Sequence, residues 1–201
     1  LYCNDVEDSY KFNEIDDKFI ADFSKSTKEQ IKFLSETIDG FRDFFDPNKQ
    51  KRVFEISHAI ETSLKLMGNQ FDINKIKLNL EIQNEKVYGI ETELEQVILN
   101  ILNNAIDVFK ERNIENREIN IKVLSKQSYT ILIMEDNAGG VKEENIEKIF
   151  DPYYTTKSTG TGTGLYMVKL VIKNSLQGDL KISNSEKGLR YIIALPQKEE
   201  I

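Results

Sequence analysis

The sequence predicts an α+β protein: a two-layer sandwich in which helices cover one face of a mixed or largely antiparallel sheet, preceded by a helical hairpin segment. Three features predict this. An apolar seam at helical steps runs from Phe19 to Phe45, short stretches of apolar–polar alternation follow Pro47, and an amphipathic helix from Thr92 to Glu111 is interleaved with those strands. At 201 residues, 39% hydrophobic and 30% charged with 3 prolines, the chain can bury a sizeable core and is neither disordered nor collagen-like in composition.

Phe19, Phe23, Thr27, Ile31, Leu34, Ile38, Phe41 and Phe45 recur at steps of three and four. They predict a helix from about Asp16 to Asp46 whose seam needs a partner. Gly40 weakens it by about 1 kcal/mol relative to Ala, and Pro47 ends it. Tyr2, Val6 and Tyr10, four apart, predict the end of a preceding helix, with the reversal at Lys11 to Ile15. The expected unit is the C-terminal part of a helical hairpin, residues 1–48, which completes its core by forming a homodimer.

A second unit, 49–201, is expected after the polar linker Asn48 to Arg52. Val53 to Ile56 predicts a short strand, and Ser57 an N-cap for a helix with Ile60, Leu64 and Met67 on one face before Gly68. Ile76, Leu78, Leu80 and Ile82 alternate with polar residues as a half-buried strand, with Val87 to Ile90 a short companion. After the Thr92 to Glu111 helix come strands at Ile119 to Leu124 and Tyr129 to Glu135, a helix at Leu165 to Asn174, and a closing strand pair at Leu180 to Ser183 and Leu189 to Leu195.

Composition also excludes some functions. Lys+Arg 27 against Asp+Glu 34 gives a net charge of -7, against the concentrated basic surface that a nucleic-acid binder requires. The single cysteine, Cys3, cannot form an internal disulfide, which fits a reducing compartment. No apolar run approaches the ~20 residues needed to span a bilayer, so no membrane contact is expected within the chain. An opening at Leu1 among Asp5, Glu7 and Asp8 is unlike a signal peptide and suggests a piece of a longer protein. The expected setting is the cytoplasmic portion of a parent that is either membrane-anchored or soluble.

Half of the ten glycines are Gly139, Gly140, Gly160, Gly162 and Gly164. A tight turn accounts for any one of them, but the concentration calls for a local reason such as close backbone approach to a ligand. In Lys157-Ser158-Thr159-Gly160-Thr161-Gly162-Thr163-Gly164-Leu165, small residues before an apolar helix can cradle phosphate with consecutive N–H donors. The order is not that of a P-loop, because the lysine precedes the glycines. On the Thr92 to Glu111 helix, Leu94, Val97, Ile98, Ile101, Leu102, Ala105, Ile106 and Phe109 form the apolar face, and Gln96, Asn100, Asn104, Asp107 and Glu111 the polar one. Asparagine is a poor helix former, and its carboxamide oxygen is a hard, neutral ligand suited to Mg²⁺. Asp136, at a strand end beside Asn137-Ala138-Gly139-Gly140, can accept from an exocyclic amine.

These segments carry a resemblance. Asn100-Ile101-Leu102-Asn103-Asn104-Ala105, Asp136 through Gly140, Phe150-Asp151-Pro152-Tyr153-Tyr154-Thr155-Thr156-Lys157 and Gly160 through Leu165 occur in the order of the N, G1, F and G2 boxes. Over residues 50–196 the chain resembles the ATP-binding domain of sensor histidine kinases, within the superfamily that includes gyrase, Hsp90 and the mismatch-repair ATPases. Thr37 through Phe45 is similar to the end of the dimerisation and phosphotransfer hairpin of one kinase subgroup.

The resemblance implies a sandwich of the Bergerat type that binds ATP and Mg²⁺. In the intact protein it implies γ-phosphoryl transfer to an upstream histidine and then to an aspartate of a response-regulator receiver domain. Asn104 would be the principal Mg²⁺ ligand and Asn100 a second one near the phosphates, and together with Lys157, a mobile charge on the polyphosphate, they form the catalytic set. Asp136 would contact the adenine amino group and Gly140 would shape that end. Asp107, Gly160, Gly162, Gly164 and Leu165 would complete the nucleotide site, with Tyr153, Tyr154 and Thr155 in a lid between Gly140 and Gly160. Departures from the pattern are Ala138 in place of the first G1 glycine and Asn100 where related hydrolytic ATPases carry a glutamate base. An amide cannot take a proton from water, which favours kinase chemistry. The one histidine, His58, stands after the linker where the family has no acceptor, so the phosphoacceptor is expected upstream of Leu1 and normal autophosphorylation is not expected of this chain. A stand-alone ATPase of the same superfamily and a non-catalytic nucleotide-binding dimerisation module are the alternatives.

Overall fold

A computed structural model describes residues 16, 18–21, 23, 24, 27, 50–156 and 162–198. The chain divides into two compact units, Leu1–Asp46 and Pro47–Ile201. In the first unit, the described residues between 18 and 27 are helical. Asp16 caps this helix, its carboxylate accepting from the Phe19 N–H at 2.6 Å and its carbonyl from the Ile20 N–H at 3.0 Å. Phe19 and Phe23 stack with ring centroids 6.4 Å apart, so the seam begins where its spacing predicts. The rest of the predicted hairpin, from Tyr2 to Ile15 and from Lys28 to Phe45, and Cys3 lie outside the described residues.

The second unit runs β1 (Arg52–Glu55), α1 (Ile56–Met67), α2 (Gln70–Ile73), β2 (Ile76–Ile82), β3 (Lys86–Gly89) and α3 (Glu91–Glu111). It continues with β4 (Arg117–Lys126), β5 (Tyr129–Asp136), two short 3-10 turns, α4 (Gly164–Leu170), a π-turn (Val171–Ser175), β6 (Asp179–Asn184) and β7 (Leu189–Pro196). Five strands form one sheet in the order β2-β4-β5-β7-β6, antiparallel except for the β2/β4 pair. The α+β class with a mixed sheet follows the sequence reading.

Four local expectations are corrected. Ser57 is not an N-cap: the helix starts at Ile56, which is fully buried, and the Ser57 hydroxyl donates instead to Asn84 Oδ1 at 2.7 Å. The first strand accordingly stops at Glu55. β3 pairs antiparallel with β1 rather than with the preceding β2, whose partner is β4. The helix after Gly164 does not remain α-helical to Asn174 but widens to a π-turn from Val171, where Ser175 hydrogen-bonds the buried Glu93 at the start of α3.

The core lies between the sheet and the helices, and period-two alternation builds its sheet side. Ile119, Ile121 and Val123 of β4 face inward with Leu132 and Met134 of β5 and Tyr191, Ile193 and Leu195 of β7. Against them pack Leu94, Val97, Ile98, Ile101, Leu102, Ala105, Ile106 and Phe109 of α3, all buried as its 3.6-residue pattern requires. On the outer face polar pairs cross the strands: Asn79 with Asn120 at 2.9 Å, Lys122 with Glu81 at 2.5 Å and Arg190 with Glu135 at 2.6 Å. A solvated outer face is why the strands alternate rather than running apolar throughout. The β1/β3 ribbon is tied to the sheet by Thr130, whose buried hydroxyl donates to the Lys86 carbonyl at 2.7 Å.

Candidate functional site

The inward alternation of β5 continues past its apolar residues. Thr130, Leu132, Met134 and Asp136 share the buried face, so the last of them places a carboxylate on the core side of the strand end, 8% exposed. That carboxylate accepts from the Ala138 N–H at 2.8 Å and from the Leu189 N–H on β7 at 3.3 Å. Burial pushes the Asp136 carboxyl above the ordinary carboxylate range, while the two N–H donors and the nearby Arg112 guanidinium pull against it. Burial, with the Asp136 charge beside it, pushes the Tyr191 phenol up as well.

The loop after β5 is held from two sides. Gly139 and Gly140 take φ of +89° and +65°, which a side chain would strain. Ala138 keeps an ordinary negative φ and is buried, so the methyl at this position is accommodated. On one side, Arg112 Nη1 donates to the Ala138 carbonyl at 2.6 Å and to the Gly140 carbonyl at 2.9 Å. On the other, the Asn184 carboxamide on β6 pairs with Val141 in both directions, accepting from its N–H at 2.9 Å and donating to its carbonyl at 2.7 Å.

The second glycine segment meets α3 two to three turns earlier. A methyl group built on Gly164 would lie 3.7 Å from Asn100 Oδ1 and 3.9 Å from Asn104 Nδ2, ordinary contact distances. Gly162, at φ +66°, has its carbonyl bonded to the Tyr153 N–H at 3.0 Å and has no room for a Cβ, which would fall 2.4 Å from the Tyr153 carbonyl carbon. Helix α3 therefore acts as a ruler. One glycine segment sits at Asn100 and Asn104, the other at Arg112, and the eight residues from Asn104 to Arg112 rise about 12 Å.

Between these segments is a cavity of about 620 Å³, within the range of small-molecule sites. Ten of the residues singled out from sequence line it together: Asn100, Asn104, Asp107, Asp136, Gly140, Tyr154, Thr155, Gly162, Gly164 and Leu165. Lys157 and Gly160 lie outside the described residues. Sequence reasoning missed Arg112, Asn184 and Gly188. Their partners are distant in the chain, and no local pattern distinguishes a helix-terminal Arg or a strand-terminal Asn that fastens a loop from one that is solvated.

His58 lies apart from this cavity. Its exposed ring hydrogen-bonds Glu91 at the start of α3, which also accepts from Arg52 Nη2 of β1 at 2.6 Å. The Glu91 hydrogen bond, and then its charge, raise the His58 pKa. Although burial pushes Glu91 up, its bonds to His58 and Arg52 hold it below the ordinary range.

Comparison with known proteins accords with this geometry. Residues 89–199 match the family described as histidine kinase-, DNA gyrase B-, and HSP90-like ATPase. Sporulation kinase E of Bacillus subtilis (strain 168) is 29% identical over 147 residues, which are 72% of this chain and 19% of that protein. The catalytic domain of histidine kinase ThkA superposes with a TM-score of 0.66 at 27% identity, covering 74% of this chain and 96% of that one. ThkA in complex with response regulator protein TrrA, at 21% identity and TM-score 0.67, shares the fold over 98% of this chain and 57% of that chain. The chain spans between 16% and 44% of the length of the first curated relatives it matches. The family match begins at Gly89, one residue before α3 caps, and takes in both asparagines, the Asp136 strand end and both glycine segments. From that stretch of sequence, and from the way it closes around one cavity, the chain belongs to the histidine kinase-, DNA gyrase B- and HSP90-like ATPases, a nucleotide-binding family.

Proposed function

We infer that the chain is the nucleotide-binding end of a protein-histidine kinase of a two-component system, and that it takes Mg-ATP in the cavity beside α3. The observation that carries the reading is the spacing along that helix. Gly164 lies against Asn100 and Asn104, while the Asp136 loop is fastened eight residues on at Arg112, a separation suited to a triphosphate at one end and a purine at the other.

The residues present fit both groups. Asn104, with Asn100, would hold Mg²⁺ through carboxamide oxygens, and what the ion supplies when bound is neutralisation of phosphate charge. The Asp136 carboxylate would accept from the adenine amino group, an acceptor that guanine's oxo group would oppose. Gly162, Gly164 and Leu165 would let the backbone come close to the phosphates, and Lys157 would add a mobile positive charge. Tyr154, Thr155 and Asp107 would close the remaining wall. The protein's contribution to transfer is then positioning and charge compensation.

In the intact protein the γ-phosphoryl would pass to an imidazole nitrogen on a helical hairpin. The N–P bond forms as the bond to the β-phosphate oxygen breaks and ADP leaves. The phosphoryl group would pass next to an aspartate of a response-regulator receiver domain, with residues 1–48 contributing to a homodimer. The acceptor is a histidine of the parent protein other than His58, whose ring is bound to Glu91. Among the described residues no helix is long and apolar enough to cross a membrane.

Two measurements test the reading. Calorimetric titration of a non-hydrolysable ATP analogue should show binding strengthened by Mg²⁺. Labelled ATP, offered to the chain joined to an intact histidine-bearing hairpin, should yield phosphohistidine; no acid-labile product in any arrangement of the two would sink the kinase reading.

A further inference from the structure

We propose that Arg112 is a positioning residue for the base end of the nucleotide pocket: by donating from one guanidinium nitrogen to the carbonyls of Ala138 and Gly140, it holds the loop after β5 so that Asp136 faces an incoming purine amino group. The proposal rests on the nucleotide reading above and goes beyond it, because Arg112 lies outside the motif segments and takes its role from a tertiary contact.

The geometry supports this in three ways. First, the loop it holds is conformationally expensive. Gly139 and Gly140 both have positive φ, and each of the two bonded carbonyls belongs to a peptide that flanks them. Glycine is the residue that loses most freedom on ordering, so a loop built on two of them needs an external tie. Second, the tie is close-fitting. A Cβ on Gly139 would fall 2.9 Å from Arg112 Nη1, so the guanidinium occupies the space a side chain would have taken. Third, the loop and Asp136 are fixed together. The Ala138 N–H that bonds the Asp136 carboxylate belongs to the residue whose carbonyl Arg112 holds. Arg112 is anchored in turn as the C-cap of α3, its own N–H bonded to the Val108 carbonyl at 3.0 Å. The helix that carries Asn104 toward the phosphates thereby also sets the position of the residue that would read the base.

Arg112 also bears on the charge of Asp136. The groups facing that carboxylate are Arg112 from α3, which favours its ionised form, Glu135 on its own strand, which opposes it, and the Tyr191 phenol from β7. Two backbone N–H donors, from Ala138 and Leu189, complete its surroundings. With burial already pushing its pKa up, removing the one cation among these raises it further, and a protonated Asp136 is a poorer acceptor for an amino group. Loss of Arg112 therefore predicts a pH-dependent binding defect, which mere loosening of the fold does not.

The experiment is calorimetric titration of non-hydrolysable ATP and GTP analogues, with Mg²⁺, into the full chain and its Arg112→Gln and Arg112→Lys variants, between about pH 7.5 and 5.5. Thermal melts of each variant check folding. The expected result for Arg112→Gln is a loss of ATP-analogue affinity of about tenfold near neutral pH, with a smaller loss for the GTP analogue. That loss should widen toward acid, and Arg112→Lys, which keeps the charge, should recover most of the pH behaviour. Unchanged affinity in Arg112→Gln, or an equal loss for both analogues at every pH, would overturn the role of Arg112 alone. Failure of the unsubstituted chain to bind either analogue would overturn the nucleotide reading and this proposal with it.

Discussion

Gly188 and Asp136 stand so close that a methyl group on the glycine would fall 1.9 Å from the Asp136 carbonyl oxygen and 2.6 Å from its carboxylate. The β6–β7 turn thus passes directly over the strand end that carries the buried acid, and a side chain is excluded there by backbone as well as by carboxylate. Gly188→Ala should destabilise the domain by about 1–3 kcal/mol, since neither backbone can yield cheaply. Denaturant unfolding measures the loss, and a variant as stable as the parent would contradict the contact.

Asp136→Asn keeps the shape of the side chain but removes its charge. Binding of an ATP analogue should weaken by about 1–3 kcal/mol and that of a GTP analogue by less, because the lost interaction is a charge-assisted bond to the adenine amino group. Parallel titrations of both analogues decide it, and equal losses would remove Asp136 from base recognition.

Asn104→Ala separates metal from phosphate. The Mg²⁺-dependent increment in ATP-analogue affinity should disappear, while much of the metal-free binding persists through the glycine segment at Gly162 and Gly164. The fold should survive, because Asn104 lies on the half-exposed side of α3 away from Ile101, Ile98 and Ala105. Alanine should raise helix propensity by a few tenths of a kcal/mol. An undiminished Mg²⁺ increment, from titrations with and without the ion, would take Asn104 out of the site.

The Arg52–Glu91–His58 cluster gives a prediction in pH. Hydrogen bonding to Glu91 raises the folded-state pKa of His58, so the stability it contributes is complete below the unfolded value of 6.5 and is lost as pH rises through the higher folded value. Glu91 works in the opposite sense. Its folded pKa is held low against burial, so its contribution is present above its unfolded value of 4.5 and fades as pH falls through the lower one. Urea midpoints should therefore decline above about pH 6.5 by a component that His58→Gln abolishes. An identical pH profile in that variant would show that the pair does not couple to folding.

Much of the site was legible in the sequence because helical and strand periods assign faces. The 3.6-residue period put Asn100, Asn104 and Asp107 opposite the apolar stripe of α3, and the two-residue period of β5 put Asp136 in line with Leu132 and Met134. Both assignments are local, and glycine spacing carried the rest of the pattern. What no period encodes is which element lies next to which. The parallel pairing of β2 with β4, the β1–β3 ribbon, the hold of Arg112 on Ala138 and Gly140, and the pairing of Asn184 with Val141 each join residues far apart in the chain. Ser57 belongs here too: because the helix begins at Ile56, its hydroxyl lies inside the first turn and donates to the distant Asn84. A side chain's face is fixed by its neighbours in sequence, whereas its partner is selected only when the core closes and distant backbones come within hydrogen-bonding reach.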